Sequence, residues 1–125
     1  MSDSALGKIG WIDLTVSHAD SVSQFYQAVA GWTRSAVDME GYQDFCMHSP
    51  GADSSVAGIC HARGNNIGFP AQWLMYITVA NLVSSLAACR AGGGEVIREP
   101  RATGEGQFAI IRDPAGAICA LYQSG

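Results

Sequence analysis

The sequence predicts an α+β fold built from two tandem strand-helix-strand-strand-strand modules, and three observations carry that prediction. Ile12, Leu14 and Val16 alternate with Trp11, Asp13 and Thr15, the period-two pattern of a strand with unlike faces. Val22, Phe25, Tyr26 and Val29 then recur at helical spacing and stop at Gly31. The same order returns later in the chain, with an apolar run from Leu74 to Val79, a helical stretch from Leu82 to Ala91 and the glycines at 92–94. In both copies a Leu/Ile-Thr-Val triplet lies fifteen residues before a glycine, Val16 to Gly31 and Val79 to Gly94. An internal duplication explains this spacing; two ordinary strand-helix pairs alike by chance are the alternative.

Taken in order, residues 1–7 are small and polar and are expected to fray. Ser17 and Asp20 supply helix-start oxygens at capping-box spacing, which predicts a helix from Asp20 to Ala30. Strands are expected over Trp32 to Asp38 and Tyr42 to His48, joined by a turn at Met39-Glu40-Gly41. Ser49 to Ser54 reads as loop, Val56 to Ala62 as a fourth strand, and Arg63 to Gln72, rich in Gly and Asn, as the connection between halves. The second half gives a strand at 73–80, a helix at 82–91, and strands near 95–99, 106–112 and 117–123. Asp113-Pro114-Ala115-Gly116 joins the last two, because proline presets one turn dihedral and glycine tolerates the other. The whole is one domain, 1–125, with module one about 8–63 and module two about 73–123.

At 125 residues, 48% apolar and only 14% charged, the chain has the composition of a compact globular protein. A net charge of -4 gives no attraction to phosphate backbones or acidic membranes, so neither nucleic acid nor membrane is an expected partner. No apolar run is long enough to span a bilayer and MSDSALGKIG lacks a signal peptide's basic start, so the expected location is cytoplasmic. The four cysteines are widely spaced without Cys-x-x-Cys, which signals neither a disulfide framework nor a zinc knuckle. Gly92-Gly93-Gly94 follows a helix instead of opening one, so it is a helix stop and no phosphate loop.

The two modules, the Phe25-Tyr26-x-x-Val29-x-Gly31-Trp32 run and the Asp113-Pro114-x-Gly116 turn together resemble the vicinal oxygen chelate superfamily of glyoxalases, bleomycin-resistance proteins, epimerases and ring-cleaving dioxygenases. That resemblance implies a cupped mixed sheet with ligand or metal on its concave side. Metal-using members place ligands at the positions held here by Trp11, Leu74 and Ala120, and indole, isobutyl and methyl groups offer no lone pair to a divalent ion. No metal and no other cofactor is therefore expected. Cys46, His48, Cys60 and His61 invite a zinc reading, but neighbouring strand residues such as Cys60 and His61 point to opposite faces. His48 and His61 also fall about 16 Å apart at strand rise.

If Ile12, Leu14 and Val16 pack under the first helix and Met75, Ile77 and Val79 under the second, alternation turns the residues between them toward the cup. The expected ligand-binding residues are thus Trp11, Asp13, Leu74 and Tyr76, with His61 joining from a strand end beside Arg63, where the pair could hold an anion or move a proton. Trp73 is grouped with Trp11 and Tyr76 as aromatics that either wall a flat ligand or fill the core or a dimer contact. Asp13 is the candidate catalytic residue, a carboxylate between apolar neighbours that serves as general base or only fixes the sheet. Arg112, next to the final turn, is expected to form an edge ion pair. The expected function is a metal-independent pocket for a small apolar or aromatic ligand, in a homodimer that covers open sheet edges. A metal-dependent lyase, isomerase or dioxygenase and a resistance-type binder that sequesters a drug or metabolite are the alternatives.

Overall fold

A computed structural model describes residues 5–52 and 54–125, the side chain of Asn65 excepted. The strand-helix-strand-strand-strand order occurs twice. The first copy is β1 (Ile9–Val16), α1 (Ala19–Ala30), β2 (Thr33–Asp38), β3 (Gln43–His48) and β4 (Ser55–His61). After a single 3-10 turn at Gly64–Asn66 come β5 (Trp73–Thr78), α2 (Leu82–Ala91), β6 (Glu95–Thr103), β7 (Gly106–Arg112) and β8 (Ile118–Gln123). The chain divides into two compact units, and the division falls inside β1. The N-terminal unit is Ile12–Trp73; the C-terminal unit joins residues up to Trp11 with Leu74–Gly125.

In the N-terminal unit the strand order is β2-β3-β4-β1, with β4 parallel to β1 and antiparallel to β3. Leu14, Ile59 and Phe45 stand in one register row, so their side chains share a face. They form a core with Ala19 and Met47, flanked by Val16, Val22, Tyr26, Trp32 and Trp73. Ile59 and Met47 are fully buried, and each such side chain contributes about 1.5–3 kcal/mol through loss of water contact. Gly31 ends α1 at φ 74, a backbone conformation that a Cβ penalises, and its N–H donates to the Gln27 carbonyl.

The C-terminal unit repeats the plan. Its order is β5-β8-β7-β6, with β5 parallel to β8 and the rest antiparallel, while the start of β1 borders β5 through Gly7 N–H to Thr78 O at 2.8 Å. Leu82, Leu86, Ala109 and Leu121 form the core beneath α2, with Ile77, Val79, Val96 and Ile111 around them. Asn81 caps α2 by accepting from Ser84 N–H at 2.9 Å. Asp113 Oδ1 accepts from the main chain of Ala115 and Ala117, which locks the final turn. Arg112 pairs with Glu95 across the β6–β7 ladder, the edge ion pair expected of it.

The structure differs from the sequence expectations at three points, at Gly7, at the start of α1 and in β6. Of residues 1–7, expected to fray, residues 1–4 lie outside the described residues, and Gly7 is held by Thr78. Asp53, in the expected 49–54 loop, also lies outside them. The capping box does not form: His18 is the N-cap of α1 with no side-chain cap, and Asp20 instead accepts from Gln24 and Arg34. Finally β6 continues to Thr103 through Pro100, because β6 is an edge strand whose ladder is interrupted between Arg98 and Arg101, where a missing N–H costs little.

Candidate functional site

Each unit has one sheet face covered by its helix and one that is not. Alternation assigns the residues. In the C-terminal unit Ile77, Leu121 and Ala109 form a row under α2, so the adjacent rows stand on the helix-free face. One is Tyr76–Ala120–Ile110, the other Thr78–Tyr122–Phe108. Leu74, two residues before Tyr76, shares that face. Leu74 is 2% exposed and Ile110 and Ala120 are fully buried. The Tyr76 and Phe108 rings lie 5.7 Å apart. Trp11, half-buried and engaged in interactions within the chain, belongs to the same unit.

The three positions at which metal-using relatives hold an ion thus all lie in this unit, and they present indole, isobutyl and methyl groups. That donor set does not fit a divalent ion. Among the described residues, no group of three or more His, Cys, Asp or Glu side chains is arranged to hold one.

The helix-free face of the N-terminal unit has different chemistry. Asp13 stands opposite Gly58 and Gly58 opposite Cys46; Thr15 stands opposite Cys60. Asp13 is half-buried and engaged in interactions within the chain. The Cys60 thiol hydrogen-bonds to Asp44 and is pushed far above its ordinary range, first by burial and then by the charges of Asp13 and Asp44. Such a thiol stays protonated and is a poor nucleophile. Asp44 is 6% exposed and its Oδ1 accepts from the His61 main-chain N–H at 2.8 Å. The sequence reading passed over Asp44. The signal was present, since Asp44, Cys46 and His48 alternate with the core residues Phe45 and Met47.

Not all the expected site residues come together. His61 stands opposite Val16, in phase with Leu14 and Ile59, so it emerges on the face opposite Asp13. Its Nδ1 donates to the Gln43 carbonyl at 2.8 Å and lies 3.5 Å from Asp44 Oδ1. Both neighbours are acceptors, so Nδ1 carries the hydrogen and Nε2 holds the lone pair in the neutral ring. Tyr42 packs edge-on to His61 at 5.6 Å and carries the Arg63 guanidinium 4.2 Å over its ring. Trp73 packs against Trp32 and its Nε1 donates to Tyr26 Oη at 3.2 Å in the core beneath α1. Trp73, the first residue of β5, thus belongs to the core of the N-terminal unit.

Comparison with known proteins agrees with this architecture. The profile of the Glyoxalase/Bleomycin resistance protein/Dioxygenase superfamily matches residues 8–120. CFP32 of Mycobacterium tuberculosis, provisionally a glyoxylase by its name, is 33% identical over 118 residues, 94% of this chain and 44% of that protein. The anthracycline biosynthesis protein DnrV of Streptomyces peucetius is 28% identical over all of this chain and 50% of its own length. The chain therefore spans about half the length of the curated relatives it matches. Among solved structures, protein BH1468 of Bacillus halodurans superposes with a TM-score of 0.63 at 15% identity, covering 94% of each chain. Methylmalonyl-CoA epimerase of Mycobacterium tuberculosis superposes with a TM-score of 0.56 at 16% identity, covering 100% of this chain and 93% of that one. These two establish a shared fold. With its doubled module and a profile match along nearly its whole length, the chain belongs to the glyoxalase/bleomycin resistance protein/dioxygenase superfamily.

Proposed function

We propose that this chain binds a small apolar or aromatic ligand on the helix-free face of its C-terminal unit, without a metal held at the positions of Trp11, Leu74 and Ala120. The observation that carries the reading is the Tyr76–Ala120–Ile110 row, where an apolar strip with aromatic neighbours replaces the donors a metal would need. One relative, DnrV, is named an anthracycline biosynthesis protein, which is in keeping with a small-molecule ligand. Trp11 and Tyr76 supply stacking surface and Leu74 the floor. In the N-terminal unit we assign Asp13 as the candidate acid–base group, with His61 as a separate polar group that does not share its face. A cytoplasmic homodimer fits the composition and the two edge strands, β2 and β6.

The test uses methyl 2-naphthoate as a neutral flat probe, with melting temperature followed in the presence and absence of EDTA. The expected result is equal stabilisation in both, and a roughly tenfold weaker affinity for Tyr76→Ala, the order of one lost aromatic contact. Stabilisation that vanishes with EDTA, or stoichiometric metal in elemental analysis of the purified protein, would overturn the reading. Asp13→Asn should fold normally; if a substrate is turned over, its rate should collapse, whereas unchanged turnover with lower stability would return Asp13 to fixing the sheet.

A further inference from the structure

The edge strand β6 adds something to the apolar face. Arg98 stands opposite Ile110, and Arg101 opposite Phe108. Directly opposed residues of an antiparallel pair share a face, so both arginine side chains leave β6 on the helix-free side, at the ends of the Tyr76–Ala120–Ile110 and Thr78–Tyr122–Phe108 rows. Simple alternation would not have done this. Val96 packs under α2, and counting by twos from it would place Arg98 under α2 as well, leaving Arg101 alone on the other face. Two register shifts, one between Val96 and Arg98 and one between Arg98 and Arg101, bracket Arg98 and turn it to the side of Arg101. Glu99, between them, goes the other way and pairs with Arg90 of α2 at 2.9 Å. Bulges of this kind re-aim side chains and are concentrated next to binding sites.

We propose that Arg98 and Arg101 recognise the carboxylate of the ligand, so that the site takes a flat or acyl apolar acid in preference to its neutral counterpart. The proposal rests on the apolar-ligand reading above and names its substrate class. Dimensions support it: Tyr76 and Arg98 are three strands apart, about 14 Å at ordinary strand spacing, which suits a fused bicyclic body with an acid group at one end. Both arginines are half-buried and make other interactions within the chain. A guanidinium has five N–H donors in a planar fork, so it can keep a protein partner and still present an edge to a carboxylate. Half-burial beside Phe108 and Ile110 lowers the local dielectric and strengthens that contact.

Calorimetric titration with 2-naphthoate and its methyl ester decides the matter. The wild-type chain should bind the acid at least about tenfold more tightly than the ester, and the preference should shrink in high salt. The variant R98Q/R101Q should bind the ester as before and lose the preference; the single variants R98Q and R101Q, each checked by its melting curve, serve if the double variant fails to fold. Equal binding of acid and ester by the wild-type chain, or a preference that survives both single substitutions, would overturn the carboxylate assignment while leaving the apolar site standing. Binding of neither compound would overturn both.

Discussion

In the N-terminal unit the sheet face away from α1 carries Asp13, Thr15, Asp44, Cys46 and Cys60; the equivalent face of the C-terminal unit carries Leu74, Tyr76, Thr78, Phe108, Ile110, Ala120 and Tyr122, with Arg98 and Arg101 along its β6 edge. The faces beneath the helices differ far less, since Leu14, Ile59 and Phe45 in one unit match Ile77, Leu121 and Ala109 in the other as apolar rows. A helix must be packed against, which holds one face to apolar side chains in any copy of the module. The opposite face carries no helix, although Leu74, Ile110 and Ala120 on it are as buried as the core, and there the copies have parted, one toward hydrogen-bonded carboxylate and thiol groups, the other toward aromatic and aliphatic side chains with arginines at the edge. Difference between repeats therefore points to ligand chemistry more directly than likeness does.

The contrast can be broken most violently by making the apolar face polar. Ile110→Asp would bury a carboxylate among Ala120, Tyr76 and Phe108, and should cost at least about 3 kcal/mol in urea denaturation, enough to leave much of the chain unfolded. A cost under about 1 kcal/mol would mean that this face admits water. The reverse exchange should be milder. Asp44→Ala deprives the His61 N–H and the Cys60 thiol of their acceptor and should cost about 2 kcal/mol by the same measurement. Were the variant more stable than the wild type, the polar face would be a burden kept for function alone.

Alkaline pH separates the units more gently. Burial raises both Cys60, in the N-terminal unit, and Cys119, in the C-terminal unit, above the ordinary thiol value of 9.0. Above that value the unfolded chain releases protons that the folded chain keeps, so unfolding gains free energy. Their contribution is complete below pH 9 and declines as pH rises beyond it. Urea midpoints between pH 8 and pH 11 should fall, and Cys60→Ala should flatten the decline more than Cys119→Ala, because burial and neighbouring charge raise the Cys60 thiol further. The smallest effect concerns the exposed start of α1. The Arg34 guanidinium holds the Asp20 carboxyl below its ordinary 3.8, so the pair's effect is present above that value and fades as pH falls through the lower one. Carboxyl NMR should show Asp20 titrating below 3.8 and returning toward it in Arg34→Gln, with the melting temperature barely changed.

The doubled module was legible because its signals are local: alternation in Leu14–Thr15–Val16, helical spacing from Val22 to Val29, and Asp113-Pro114 at a turn. Alternation also placed Leu14, Val16, Ile77 and Val79 under the helices, while Ile12 and Met75, expected with them, are exposed. It failed wherever a residue depends on pairing partners far along the chain. His61 parted from Asp13 because its phase is set by Val16, while for Trp73 the choice between ligand wall and core was decided by Tyr26 and Trp32, which give it a core. The shared face of Arg98 and Arg101 was hidden by bulges that no spacing rule announces. Asp44, by contrast, stood in a readable alternation and was missed because Asp13 drew the attention given to strand carboxylates.

That the boundary between units falls within β1 has an engineering corollary. Severing the chain anywhere between Arg63 and Gln72 would leave the Gly7 and Lys8 main chain, which ladders onto Thr78, on the wrong fragment. Two such halves should each be incomplete alone and regain structure only when mixed, which suits this scaffold to reporter designs based on fragment complementation.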